Sequence, residues 1–382
     1  MWAFNNRPST VGKPNTDTLD YMSTATPSAF AHITPNWFAA AMGTGIVSVA
    51  AASLQHEVAA LQVVAELFWF LAAIILITLI GAFAAHWITH RDLALAYLRS
   101  PAMFPFYGAV AMALLTVGSA TGVTGAMYLG HSAAVTISIA LWVLGTTLGL
   151  CTYVVMMVRL VRDAGMATAM PFWLMPVVPP MVSATTGAAV TSHLTEGALR
   201  TSVLVFCYVM FALALSAALV IVVAVARQFA ANRARGVDAI PFNAIPSLWI
   251  PLGVIGQSIG AANLLADAAR HAVGAGTADA LHTFGLVYGT VVGTLGVVAF
   301  LAVTTVTVRA LRRGLSFSLG WWSFTFPIGA CAVGANAFGI ATGSQLILAV
   351  AAALLLVLIP IWATVAARTV NSIRSGALPA PA

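Results

Sequence analysis

The chain is poor in charge. Only 7% of its 382 residues are Asp, Glu, Lys or Arg, against about 25% in an ordinary soluble domain. So few charges do not cover the surface of a water-soluble globule. Paired cysteine is missing too. Cys151, Cys207 and Cys331 stand singly inside apolar runs, with no C-x-x-C spacing. That excludes a disulfide framework or thiolate metal site and leaves small apolar packing residues. Neither H-E-x-x-H nor G-x-S-x-G occurs, and the histidines, among them His56, His86, His131 and His193, stand mostly at the ends of apolar runs without an acidic partner. An intramembrane enzyme would therefore have neither a nucleophile–base pair nor a metal cluster, and no cofactor is expected. The formal charge of +6 does not mean nucleic acid, because the basic residues come singly or in small groups between apolar runs, whereas a phosphate-binding patch is denser. A sensor without flux would need a signalling domain or a long tail, and the polar segments are short.

What is present is apolar: 61% of the chain, in repeated runs of roughly 20 residues or more, the length that crosses a bilayer as a helix. The runs do not alternate apolar with polar, so a β-barrel is excluded. The expected fold is all-α and integral to the membrane, with ten spans near 35–54, 62–86, 104–126, 133–160, 171–192, 200–226, 246–266, 280–308, 320–341 and 345–367. Residues 1–34 are polar, with Pro8, Pro14 and Pro27, and are expected to be a disordered cytoplasmic tail; 368–382 form a second, short one. With ten spans, every basic residue except Arg200 and Arg270 falls on one side. By the positive-inside rule that side is cytoplasmic and holds both termini. A wrong span count would have scrambled this alternation.

Proline and glycine mark the odd spans: Pro35, Gly43 and Gly45; Pro105 and Gly108; Pro176, Pro180 and Gly187; Pro251 and Gly256; Pro327 and Gly334. Among even spans only the last has a proline, Pro360. Five hairpins follow, each pairing a broken or bent odd helix with a straighter even one. A proline removes a backbone donor, and lipid leaves such groups no partner, so the odd helices belong inside, around a path, with expected kinks at Gly43, Gly45, Pro105, Pro176, Pro180, Pro251 and Pro327. In the eighth span Gly285, Gly289 and Gly293 form a small-residue packing face, toward a neighbouring helix or a second subunit.

The odd spans also carry neutral polar residues. Thr44, Ser48, Thr116, Ser183, Thr186, Gln257, Ser258, Thr325 and Asn336 are candidates to line the path, each hydroxyl having helix packing as its other reading. No Lys or Arg is expected mid-membrane, and the nearest carboxylates, Glu66 and Asp267, read as interfacial charges. A cation or proton carrier tends to hold acidic residues near the midplane, so the pattern points to weak, multiple sites for anions. Trp37, Trp321 and Trp322 read as interfacial anchors. Phe326, directly before Pro327, stands where a ring plugs a narrow lumen or packs in the core.

The residues then become familiar. Pro35-Asn36-Trp37-Phe38 with Met42-Gly43-Thr44-Gly45-Ile46-Val47-Ser48 resembles the first-helix signature of the tellurite-resistance/dicarboxylate transporter family, part of the slow anion channel superfamily, in the form of its malate permease and sulfite exporter branch. Trp173-Leu174-Met175-Pro176 followed by Pro179-Pro180 resembles the fifth helix. Trp321-Trp322-Ser323-Phe324-Thr325-Phe326-Pro327 resembles the ninth. The resemblance implies odd helices around a central pore, even helices outside, and often a homotrimer in the cell membrane. It implies passive or proton-coupled movement of small anions. Phe326 matches the phenylalanine that occludes the pore, with Phe324 the alternative if the register differs. The cargo expected first is a C4-dicarboxylate, malate or succinate; sulfite, nitrate or chloride, and a role in tellurite resistance are the alternatives, since fold likeness does not settle cargo. Short tails argue against kinase control. Reporter fusions test the topology: a reporter active only in the cytoplasm should work at both termini, and opposite behaviour of the two would contradict an even number of spans.

Overall fold

The structure, a computed structural model, describes residues 33–55, 60–162 and 169–376. The expected amino-terminal tail lies almost wholly outside these residues, as do His56 and everything from 377 on. No strand occurs among the described residues. The long helices are α1 (Phe38–Leu54), α2 (Ala60–Thr89), α3 (Tyr107–Thr124), α4 (His131–Arg162), α5 (Pro179–Ser192), α6 (Ala198–Ala234), α7 (Ile250–Ala269), α8 (Ala275–Arg312), α9 (Thr325–Thr342) and α10 (Gln345–Arg374). The chain is an all-α, multi-pass membrane protein. Among the described residues nine helices, lead-in turns included, are long and apolar enough to cross a membrane. The fifth expected span divides instead into a turn, Pro171–Leu174, and the 14-residue α5. At 1.5 Å per residue α5 rises about 21 Å, short of the roughly 30 Å hydrocarbon core. Several even helices run long; α10 continues to Arg374, past the expected boundary at 367.

Among the described residues every odd helix, and no even one, is preceded by a 3-10 lead-in: Pro35–Trp37, Phe104–Phe106, Pro171–Leu174, Phe242–Trp249 and Leu319–Phe324. The prolines explain the position of these breaks. Pro105 lies within a lead-in, and Pro176 in the turn between lead-in and α5. Pro180 and Pro251 are second residues of α5 and α7, and Pro327 is the third of α9. In a first turn the missing N–H had no intrahelical partner, so proline costs little there. The breaks therefore fall at the amino ends of the odd helices rather than at midspan. Gly43 and Gly45 correct the expectation further, because α1 runs through both without interruption.

The odd helices are inside. Between 67% and 83% of the apolar stretch is buried in the spans containing α1, α3, α7 and α9, against 11% to 44% in the even spans. α5 is buried along almost its whole length. In sequence, α1 packs on α3, α3 on α5, α5 on α7, α7 on α9, and α9 back on α1, which closes a ring. Each even helix leans on its own odd partner and on the next odd helix, covering the outer groove between them.

Two devices hold this ring. The first is close approach at glycine. A Cβ on Gly256 would overlap the backbone of Ala330 and Cys331 in α9; one on Gly334 would overlap the Gly256 carbonyl; one on Gly108 would overlap the backbone at Met175; one on Gly43 would overlap Thr325. The second is a set of tryptophan N–H bonds that join odd-helix units to even ones, three donated from even helices and two from odd-helix lead-ins. Trp362 Nε1 donates to Thr44 Oγ1 (2.9 Å), Trp69 to Thr121 Oγ1 (3.0 Å), Trp142 to the Ser183 carbonyl (3.0 Å), Trp249 to Thr307 Oγ1 (2.8 Å) and Trp322 to Thr369 Oγ1 (3.1 Å). Each is worth about 1 kcal/mol net. Trp321 and Trp322, at 5% and 2% exposure, are thus buried residues rather than interfacial anchors. The stripe in α8 also faces inward: Gly285 meets Ala262, and Gly289 meets the Phe338 ring, so it is an internal packing face and not a subunit contact.

Gly256→Ala should cost about 1–3 kcal/mol of stability as an overpacking substitution. Gly260→Ala, whose Cβ meets its nearest atoms at 3.5 and 3.6 Å, should cost much less. Thermal unfolding of the two purified variants in detergent checks this; equal losses would show that the α7–α9 approach does not depend on Gly256.

Candidate functional site

The ring encloses two chambers. The carboxyl-terminal halves of all five odd helices line a vestibule of about 780 Å³. The amino-terminal parts line a much smaller chamber of about 20 Å³, where Met42, Met112, Val178, Gly253 and Phe326 meet. Amino ends therefore share one chamber and carboxyl ends the other, so the five odd helices run parallel. Below the small chamber a mouth of about 180 Å³ opens among Phe106, Phe172, Asn243, Pro246 and Ser323, all on the lead-ins or beside them.

Sequence offsets show how the chambers are divided. Ile46, Thr116, Val182 and Gln257, which line the vestibule, each stand four residues after Met42, Met112, Val178 and Gly253. Four residues are about one helical turn, so the collar between the chambers is about 6 Å thick. Its small-chamber face is apolar, and Phe326 fills the α9 sector with 3% exposure. An ion held in such a collar loses its hydration shell at a cost of several kcal/mol. Phe324 is elsewhere. Its ring lies 5.8 Å from that of Trp249 and 5.6 Å from that of Trp321, in the aromatic packing of the lead-ins.

The predicted polar residues separate into two groups. Thr116, Thr186, Gln257 and Asn336 line the vestibule. Thr44, Ser48, Ser183, Ser258 and Thr325 do not. Thr44 accepts from Trp362 and donates to the Ala40 carbonyl (2.7 Å). Ser48 donates to the Ala65 carbonyl of α2 (2.7 Å). Ser183 accepts from Thr146 of α4 (3.0 Å). Ser258 donates to Ile255 and Thr325 to Trp322. Those five join or brace helices, and the expectation that they line a path is corrected.

Three of the threonines that line the vestibule present lone pairs to it. Thr116 donates to the Met112 carbonyl (2.7 Å), Thr186 to Val182 (2.8 Å), and Thr185 to Met181 (3.0 Å). A hydroxyl has one proton to give. With it committed to the preceding turn, each threonine shows the cavity lone pairs, not a donor. Asn336 Nδ2 donates to the Ser53 carbonyl (3.0 Å).

Among the described lining residues the charged ones are Arg200 and Asp267, which stand with His271 at the vestibule rim. The Arg200 side chain is 13% exposed and 3.7 Å from Glu196. Its guanidinium donates to the Leu194 carbonyl and, at 3.3 Å, to that of His271. Arg200 was visible in the sequence only as one of two exceptions to the charge alternation. Asp267 lies 3.8 Å from Arg270 and is well exposed, and Glu66 accepts from Tyr128 (2.7 Å); neither reaches the collar. Just outside the vestibule the rings of His131 and His193 lie 5.9 Å apart. Burial, then the neighbouring His131, lowers the His193 pKa. The residues that sequence reasoning missed are the collar itself, Met42, Met112, Val178 and Val182. An apolar residue in an apolar helix carries no local mark of facing a path.

Comparison with known proteins places this architecture. The sulfite efflux pump SSU1 of Arthroderma benhamiae is 25% identical over 320 residues, covering 79% of this chain and 80% of that protein. SSU1 of Arthroderma otae is 26% identical over the same length and shares. An uncharacterized transporter of Methanocaldococcus jannaschii is 25% identical over 299 residues, 78% of this chain and 80% of its own. The family profile described as voltage-dependent anion channel, SLAC1, matches residues 32–370. A five-helix ring around an uncharged collar, matched over nearly its whole length, belongs to that family of anion channels and transporters.

Proposed function

We propose that the protein carries sulfite out of the cell through the axis of the odd-helix ring, with Phe326 closing the passage. The observation that carries the reading is the collar. Two chambers on one axis are separated by about one helical turn of apolar side chains, a thickness that a small ion crosses and a bound cofactor would not need. Movement of one ring opens it.

Anion preference has a physical source without a fixed cation at the narrows. The amino ends of five parallel helices surround the small chamber. Each contributes a partial positive charge of about half an elementary unit, screened by its surroundings. Arg200 adds a guanidinium at the far rim, partly offset by Glu196 3.7 Å away. This spreads weak attraction along the path, which suits rapid release better than one deep site.

The names of the fungal relatives favour sulfite over the C4-dicarboxylate expected from sequence. So does the site, since near neutral pH a C4-dicarboxylate is doubly charged while sulfite is partly singly protonated, and the collar has no cationic side chain. Transport fits this family better than intramembrane catalysis. The charge alternation supports a cytoplasmic-membrane location with both termini inside, and the family resemblance supports a homotrimer.

In proteoliposomes labelled sulfite should move faster than labelled succinate, and Phe326→Ala should raise anion conductance by about tenfold, the effect of removing roughly 1.4 kcal/mol of barrier. Succinate moving faster than sulfite would overturn the cargo. A current unchanged in Phe326→Ala would remove the gate.

A further inference from the structure

Gln257 stands where the vestibule narrows to the collar. It is 4% exposed and lines the vestibule; one turn before it, Gly253 lines the small chamber and contributes no side chain. The Gln257 backbone carbonyl accepts from Thr185 Oγ1 at 3.2 Å. Its side-chain Oε1, however, is buried and has no hydrogen-bond partner among the described residues. An unpaired buried acceptor is expensive to keep, and rotation of the amide turns this one toward the vestibule that the side chain lines. Thr116, Thr185 and Thr186, which line the same vestibule, have all given their protons to backbone carbonyls. The narrows are therefore rich in acceptors. Bare anions meet lone pairs there, and a species that brings its own O–H meets a partner.

We infer that the passage selects oxyanions in their singly protonated form, hydrogen sulfite rather than the sulfite dianion, with Gln257 as the residue that reads the proton. A primary amide matches such a group: its C=O accepts from the ligand's O–H while its N–H donates to the adjacent charged oxygen. Rotating the amide by half a turn exchanges its ends and preserves this match. Charge acts in the same direction, because the cost of desolvating an ion grows with the square of its charge. The proposal rests on the transport reading above and adds the chemical form of the cargo.

Sulfite exchanges its second proton near neutrality, so both forms coexist at physiological pH and the test is direct. Sulfite and nitrate fluxes are measured in proteoliposomes at fixed total concentration over a range of equal internal and external pH, after subtraction of protein-free liposomes. Nitrate stays unprotonated throughout and reports any effect of pH on the protein itself, whose charged and ionisable groups facing the path are Arg200, Asp267 and His271 at the rim, with His131 and His193 beside it. The sulfite-to-nitrate flux ratio should fall about tenfold per pH unit once the dianion dominates, following the hydrogen sulfite concentration. Gln257→Leu should lower the ratio measured at acidic pH about tenfold, the worth of one hydrogen bond, and Gln257→Asn should keep more of it. A ratio that is flat with pH, or that rises with the dianion, overturns the proposal through the wild-type protein alone. So does a Gln257→Leu ratio equal to wild type. Flux of neither anion would overturn the transport reading and this proposal together; nitrate flux with pH-independent sulfite flux would overturn only the proton requirement.

Discussion

In lipid, helices gain little by hiding apolar side chains from one another, because the solvent is as apolar as they are. The five odd helices must be held by contact area and by hydrogen bonds. Glycine supplies the first: at Gly256 against Gly334, and at Gly108 and Gly43, the chains approach until a single methyl would not fit. That approach sets the ring's radius. A wider ring would leave a water-filled pore, and a tighter one would have no vestibule. At the radius these glycines allow, the side chains of Met42, Met112, Val178 and Phe326 meet with Gly253 on the axis, and a space of about 780 Å³ remains beyond them.

The hydrogen bonds follow from the same constraint. A ring of short helices needs fastening to its outer shell, and the tryptophan N–H groups do this, donating to Thr44, Thr121, Thr307, Thr369 and the Ser183 carbonyl. Polar groups in the odd helices thus have two uses. Those facing an even helix bond across to it, as Thr44 accepts from Trp362 and Ser48 donates to the Ala65 carbonyl. Those facing the axis close on their own backbone and leave lone pairs toward the cavity. The site's chemistry comes from the second use: the collar lacks hydroxyl protons as well as charge, and the Gln257 amide becomes the group that can both give and accept.

Much of the fold was legible in the sequence. Ten apolar runs, an alternation of basic residues that breaks only at Arg200 and Arg270, and prolines confined largely to odd spans led to five hairpins with the odd helices inside. The site was less legible. Thr44 and Thr116 are both threonines in all-round apolar helices, and both donate to the carbonyl four residues back. They differ only in what stands opposite, Trp362 for one and the cavity for the other, and that is set by partners distant in sequence. Gly43 and Gly45 read as kinks because glycine weakens helices in isolation; in the ring their missing side chains serve packing. Phe326 and Phe324, two residues apart, were separable only once the helix register placed one on the axis and the other against Trp249.

The central claim is that one side of each odd helix faces a common aqueous vestibule and the other sides are sealed. The most direct measurement is thiol accessibility in a protein lacking Cys151, Cys207 and Cys331, with Thr116→Cys, Asn336→Cys, Thr44→Cys and Ser48→Cys introduced one at a time. A water-soluble, membrane-impermeant thiol reagent should modify the first two and depress anion flux, while leaving the last two unreacted. Reaction at positions 44 and 48 with protection at 116 and 336 would contradict the account.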